Sequence, residues 1–564
     1  MLKTLLIAVA FLLAGVALHD IEKLNELDSD ENGVVPNYTL RGNMLGHLVM
    51  GVASIGERCE ALGISEEKAL EQAIGAKLLL DRAAQLELPV TAKDIDAWEV
   101  GPAHLPWFRM GNLSCNTFDG PLGDEWNNRQ LEIAHHVLAR MDSLGMKPIC
   151  PAFGGFVPGN FATRVKGTST ERVGWGWCID GTHQNYRLNP TSAAFAEVGS
   201  KFIQEWEKEF GVRKYYLSDS FNEMAIPSAT ELPAYGENIW KSIKEGSANP
   251  DVVWVTQGWT FNFQQDKWGL NKFQALTSSV PNDQFMVLYM SPEYSYGNKS
   301  WENYNSFDGK DWVYTLLPNM GGKTAFCGKL SDYAQGFLNT LNNSTKKSSL
   351  SGYGITAEGV ENNEMIYELI TDGGWLGAKK TINLDTWIKQ YANSRYGGYT
   401  AEQQAFHTAL RNSVYNYFTD HPRFGWQYDG GLGSGSASQN DNFYKGVETL
   451  FSNIEAIRAL NSPLAQADMA ETVAMYCGGK IEKLNGRIQN YVSVGNTTMA
   501  DSLIGVLDHL MLSMDRVLTC HPIYNLKRWE DFAQKGYSTS AKRNAQNARR
   551  IVTVWFGKDH SSAE

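Results

Sequence analysis

The chain reads as an α/β protein: a (β/α)8-type barrel, whose N-terminal strands are not all legible, followed by an all-α C-terminal domain. Three observations predict this. Short continuous apolar runs recur from residue 147 onward, stretches with helical periodicity separate them, and no GxGxxG or GxxxxGK[ST] follows any of them. The runs are KPICPAF (147–153), KYYLSDSF (214–221), VVWVTQGW (252–259), FMVLYMSPE (285–293), DWVYTLLPN (311–319) and GYGITAEG (352–359). Apolar runs bounded by turns suit parallel strands buried on both faces. AAFAEVGSKFIQEWEKEF (193–210) repeats its apolar residues three and four apart, as a helix packed on such a sheet must. A doubly wound sheet usually carries a phosphate loop after its first strand, so its absence favours the barrel. Six strands are legible and two are unaccounted for.

After about residue 376 the strand rhythm stops. AEQQAFHTALRNSVYNYF (401–418) and DSLIGVLDHLMLSMDRVL (501–518) read as amphipathic helices, with GWQYDGGLGSGSASQND (425–441) as a loop between them. The domains expected are a signal peptide at 1–17, a helical segment at 18–100, the barrel at 101–375 and the all-α domain at 376–564. The first of these rests on MLKTLLIAVAFLLAGVALHD, where Lys3 precedes an apolar stretch too short to span a bilayer comfortably. The secretory route, ending in the lysosome or outside the cell, follows from it. Sequons at Asn37, Asn298, Asn342 and Asn496 fit that route.

Composition narrows the chemistry. A net charge of −12 disfavours nucleic acid and anionic membranes as partners. KRNAQNARR (542–550) is spaced as a solvated helix face. The 7 cysteines contain no CxxC pair, so they allow one or two disulfides but suggest no zinc site. The 11 histidines include no HExxH, and neither a metal nor a cofactor is expected. The sequence leaves room for a homo-oligomer. Aromatic residues make up 12% of the chain; most are expected in the core, with a minority available to stack on sugar rings.

Two runs end in carboxylates. SDSFNEM (218–224) delivers Asp219, Asn222 and Glu223, and GITAEG (354–359) delivers Glu358. Barrel strands bring their C-terminal ends to one face, where a pair of carboxyls can serve as proton donor and nucleophile on a glycosidic bond. Capping a following helix is the bland alternative, and Asp219 and Glu293 are rival claimants to either role.

GPAHLPWFRMGN (101–112), DGPL (119–122), GMKPICPAFGGFVP (145–158), SDSFNEM, WVTQGW (254–259), LPNMGG (317–322) and GITAEGVENNEMIYEL (354–369) occur in order, continuing into QYANSRYG (390–397) and SVYN (413–416). In these motifs the chain resembles the alpha-N-acetylglucosaminidase family of glycoside hydrolases. The resemblance implies a retaining exo-glycosidase acting on terminal alpha-linked N-acetylglucosamine, as in fragments of heparan sulfate. It implies Glu223 as general acid/base and Glu358 as nucleophile, with carboxyls about 5 to 5.5 Å apart. Asn222, Trp107, Trp175, Trp259 and Asn319 would line the sugar pocket.

The chain departs from the family pattern in places. The family's small β-rich N-terminal domain and its first aromatic-rich barrel strand have no counterpart before residue 100, where ERCEALGISEEKA (57–69) stands instead. LPNMGG lacks the histidine usual before its Asn, and Tyr289 stands where an acidic residue is common. A relative that binds glycans without turnover is therefore the alternative function.

Overall fold

The structure is a computed structural model that describes residues 124–553 apart from 158–160, 174–184, 220, 222–223, 294–299, 319–325, 327, 344–348, 357–362, 377–380, 418–440 and 540. The signal peptide, the helical segment of 18–100, the sequons at Asn37 and Asn298 and the glycine-rich loop all lie outside the described residues. The chain divides into two compact units. One holds the described residues up to 317, those of 343–357 and those from 530 onward; the other holds those of 318–342 and 358–529.

The first unit is built on a six-stranded parallel sheet: β1 (Ile149–Pro151), β2 (Tyr215–Leu217), β3 (Val253–Gln257), β4 (Phe285–Met290), β5 (Asp311–Leu316) and β6 (Leu350–Ile355). The first five each fall within one of the six apolar runs, and β6 begins two residues before the sixth. The strands lie in chain order, every one hydrogen-bonded to its successor. A doubly wound sheet reverses that order near its middle, whereas a barrel never does. Every residue of β3 and β4 is buried, which is why their sequences VWVTQ and FMVLYM show no alternation. The two further strands of a closed barrel are not among the described residues.

Helix α1 (Asp124–Ser143) precedes β1, and α2 (Ala193–Phe210), α3 (Leu232–Gly246) and α4 (Gly269–Thr277) lie on the crossovers from β1 to β2, β2 to β3 and β3 to β4. Ser192 caps α2 by accepting the Ala194 N–H, and Gly211, at φ 84°, ends it. Its buried stripe includes Phe195, Val198, Phe202, Ile203, Trp206 and Phe210, the periodic positions read from the sequence. Helices α2 and α3 approach closely at small residues: a Cβ on Gly246 would lie 2.8 Å from the Ser200 carbonyl oxygen. Outside β4 an aromatic cluster centres on Phe273, with Phe261 at 5.2 Å, Phe307 at 5.7 Å and Tyr304 at 5.8 Å between ring centroids. Full burial of each such ring is worth roughly 1.5–3 kcal/mol. A three-stranded antiparallel sheet (Phe156–Val157, Thr170–Val173, Asn185–Leu188) is inserted between β1 and α2.

The second unit is mainly helical: α5 (Leu330–Leu341), α6 (Glu364–Leu376), α7 (Leu384–Tyr396), α8 (Ala401–Arg411), α9 (Asp441–Phe451), α10 (Pro463–Ser493) and α11 (Thr497–Leu518). The helix expected from 401 onward stops at Arg411. There Tyr415 N–H turns back to the Leu410 carbonyl, and Asn416–Tyr417 pairs antiparallel with Gly328–Lys329. The apolar period continued past the break because Val414 and Tyr415 are buried all the same. The basic run 542–550 lies on the helix Ala541–Thr553, with Lys542 and Arg549 exposed. Among the described residues Cys150, Cys477 and Cys520 are free thiols. The remaining cysteines, on which any disulfide would have to draw, lie outside those residues.

Candidate active site

Parallel strands deliver their C-terminal ends to one side of the sheet, and polar side chains gather there. Past the end of β2, Ser218 N–H still bonds the Val255 carbonyl at 3.0 Å. The next residue, Asp219, reaches across to β3. Its Oδ1 accepts from Thr256 Oγ1 at 2.8 Å and from Gln257 N–H at 3.0 Å. Its Oδ2 is buried without a hydrogen-bond partner. Burial pushes the carboxyl up to about 7, and the two hydrogen bonds oppose that rise without cancelling it.

The end of β4 repeats the arrangement one strand pair further on. Ser291 sits at φ 56°, an unfavourable left-handed backbone for a residue other than glycine. Asn262 holds it there: its Nδ2 donates to the Met290 carbonyl at 3.1 Å, the Ser291 carbonyl at 3.2 Å and Ser291 Oγ at 3.0 Å. The turn delivers Glu293, which is 3% exposed. Glu293 Oε1 accepts the Leu317 N–H at 2.6 Å past the end of β5, while Oε2 is buried without a partner. Burial pushes this carboxyl up to about 8. Both rival carboxyls thus tie one strand end to the next.

The loop after β3 supplies the third feature. A Cβ on Gly258 would fall 2.6 Å from the Leu288 carbonyl oxygen, so only glycine lets the chain pass β4 so closely. Trp259 follows, 7% exposed and stacked on Phe263 at 5.2 Å; Phe263 itself is 61% exposed. Further along, Trp268 Nε1 donates to Thr260 Oγ1, Thr260 to Gln264 Oε1, and Gln264 Nε2 to the Met224 carbonyl at 3.1 Å. The segment after β2 is therefore fixed from β3. Phe221 is held by Tyr235 at 4.7 Å and Trp268 at 6.1 Å between ring centroids, with the Arg187 guanidinium 5.1 Å above its ring.

Of the residues singled out from sequence, Trp259 is described, at the end of β3, and its ring is almost entirely covered. Glu223, Glu358, Asn222, Trp107, Trp175 and Asn319 lie outside the described residues. In sequence, Glu223 follows the last residue of β2 by six positions and Glu358 follows that of β6 by three. The sequence does not mark Asn262, Phe263 and Gln264, which end or follow the short helix Trp259–Phe263, too brief for any periodicity to show. Among the described residues no group of His, Cys, Asp and Glu is placed to hold a metal ion.

A family model described as the alpha-N-acetylglucosaminidase tim-barrel domain matches residues 72–377, and that family's C-terminal domain model matches 387–563. The chain is 30% identical over 491 residues to human (Homo sapiens) alpha-N-acetylglucosaminidase, covering 83% of this chain and 63% of that protein. Among solved structures it resembles a family 89 glycoside hydrolase from Clostridium perfringens in complex with PUGNAc. The TM-score is 0.73 at 24% identity, over 86% of this chain and 55% of that one. The same enzyme, with two glutamates changed to glutamine and bound to its substrate GlcNAc-alpha-1,4-galactose, matches with the same TM-score. These structures carry the fold; the chain spans about six tenths of the length of the relatives it matches. By its barrel and its C-terminal region alike, the chain belongs to the alpha-N-acetylglucosaminidase family.

Proposed function

We propose that the protein is a retaining exo-acting glycoside hydrolase that removes terminal alpha-linked N-acetylglucosamine from glycans. The observation that carries this reading is the family match across 72–377, within which SDSFNEM follows the end of β2 and GITAEG begins in the last two residues of β6. In the proposed reaction the Glu358 carboxylate attacks the anomeric carbon. The glycosidic C–O bond breaks as Glu223 passes its proton to the leaving oxygen. Water then attacks the glycosyl-enzyme, giving its proton to Glu223 and releasing Glu358, with net retention. Glu223 has to stay protonated in its acid role while Glu358 stays ionised.

The anchored backbone next to Glu223 supports the assignment, because an acid catalyst must keep its place. Asn222, Trp107, Trp175, Trp259 and Asn319 are proposed to contact the sugar, Trp259 by little more than a ring edge. Heparan sulfate fragments are the proposed natural source of the glycan, met in the lysosome or outside the cell. No described helix is long and apolar enough to cross a membrane.

The test is hydrolysis of an aryl alpha-N-acetylglucosaminide, with the first-formed anomer read by proton NMR. Release of the alpha anomer is expected, and first-formed beta anomer would refute the retaining mechanism. The departures from the family pattern at LPNMGG and Tyr289 favour a second reading, a glycan-binding protein without turnover. Binding of N-acetylglucosamine by a folded protein that hydrolyses nothing would establish that reading instead.

A further inference from the structure

We propose that Gln264 is a positioning residue for the acid step: from the loop after β3 it fixes the Met224 carbonyl, the backbone group directly after Glu223. The proposal rests on the reading of Glu223 as the general acid. Gln264 is 5% exposed, and its amide is the last link of a chain with only one consistent direction. An indole N–H only donates, so Trp268 Nε1 must donate to Thr260 Oγ1, at 2.8 Å. That leaves the threonine proton free to donate to Gln264 Oε1, at 3.0 Å. A backbone carbonyl only accepts, so Gln264 Nε2 faces Met224, at 3.1 Å. Each hydroxyl and amide orientation is set by its neighbours, and no flipped amide satisfies both ends.

The same loop also holds Phe221. The Trp268 ring lies against Phe221, and Met224 N–H bonds the Phe221 carbonyl at 3.1 Å. Trp268 is 2% exposed and packed edge-on against Phe261, and the Gln264 backbone N–H is bonded to the Thr260 carbonyl. The support is therefore rigid and built on β3, the strand beside β2. Removing the Gln264 amide would leave the Thr260 hydroxyl proton without its acceptor and take this donor from the Met224 carbonyl, both in a buried place. The chain after β2 would then shift to find water, and small displacements of an acid catalyst are costly to rate.

Leaving-group dependence separates this role from a merely structural one. A para-nitrophenolate leaves with little help from an acid, whereas a sugar alkoxide needs the proton. With Gln264→Leu, kcat/KM on GlcNAc-alpha-1,4-galactose is expected to fall about tenfold or more, and on the para-nitrophenyl glycoside by about threefold or less. Gln264→Glu keeps the shape and the acceptor for Thr260, and when protonated it can still donate to Met224. Its loss on the disaccharide should be small at acid pH and grow as pH rises, which keeps the test alive if Gln264→Leu fails to fold. Equal losses on both substrates, or none, would overturn the proposal. A wild type that turns over neither substrate would remove the glycosidase reading itself, and this proposal with it.

Discussion

At the strand ends of the barrel unit, Asp219 and Glu293 are buried against backbone N–H groups and a hydroxyl, whereas in the helical unit Asp468, Glu364 and Glu471 gather around the Arg395 guanidinium. The same difficulty, a carboxyl taken out of water, is met in two ways. Arg395 donates to both oxygens of Asp468, Nε at 2.7 Å and Nη2 at 2.5 Å, and Tyr396 adds its hydroxyl at 2.6 Å. That set ties α7 to α10 through an ion pair, with Glu471 pushed well up by burial and by its acidic neighbours. The strand-end carboxyls have one satisfied oxygen each and one without a partner. They are therefore driven toward the neutral form near neutral pH. An ion-paired cluster fixes the helices; strand-end carboxyls leave the barrel end sensitive to protons.

The largest expected effect would break the helical side of this comparison. Arg395→Met leaves three acids without their cation and should cost about 3 kcal/mol or more in the helical unit's unfolding transition, followed by far-UV circular dichroism in urea. A loss under about 1 kcal/mol would mean that the cluster is not held by charge.

The next effect sharpens the barrel side. Asp219 and Glu293 have folded pKa values of about 7 and about 8, raised above the ordinary carboxyl range near 4. The stability they confer is thus fully present below about pH 4 and is lost as pH rises through 7 and 8. Asp219→Asn and Glu293→Gln should each flatten that decline by roughly 2 kcal/mol between pH 5 and pH 9. His407 in the helical unit has the opposite sign. Burial pushes its imidazole down to about 4, so its contribution is fully present above about pH 6.5 and is lost as pH falls through 4. Thermal unfolding of wild type and His407→Gln at pH 4 and pH 7 checks this, the variant losing less at the acid end.

The smallest effect compares two caps. Thr400 and Gln403 form a reciprocal capping box at the start of α8, whereas Ser192 caps α2 with a single hydrogen bond of 3.3 Å. Thr400→Ala should cost about 1 kcal/mol, and Ser192→Ala about half that, by thermal unfolding.

The comparison also explains what the sequence could and could not reveal. Continuous burial leaves runs without alternation, wholly apolar in β4 and ending in Thr256 and Gln257 in β3, so the strands were legible from hydrophobicity, while the barrel reading rested on the missing phosphate loop. Motif identity carried the family. The relay from Trp268 to Met224 was not legible, because it joins residues 44 apart through a segment, NFQQDKW, that leaves a one-turn helix and has no hydrophobic period. Asp219 is legible as a strand-end acid, yet nothing in SDSFNEM indicates that it would clasp the end of β3. The stop of α8 at Arg411 was missed for the converse reason: burial of Val414 and Tyr415 imitates a helical period where the backbone has already turned.

The central claim is that Glu223 and Glu358 perform the chemistry as acid/base and nucleophile. It is tested most directly by turnover of an aryl alpha-N-acetylglucosaminide with wild type, Glu223→Gln and Glu358→Ala, each with and without azide. Wild-type hydrolysis is predicted, with kcat/KM on a poor leaving group reduced about 10²–10⁴-fold by Glu223→Gln. Glu358→Ala should abolish turnover, azide then releasing glycosyl azide of inverted configuration. Unchanged activity in either variant would contradict the assignment.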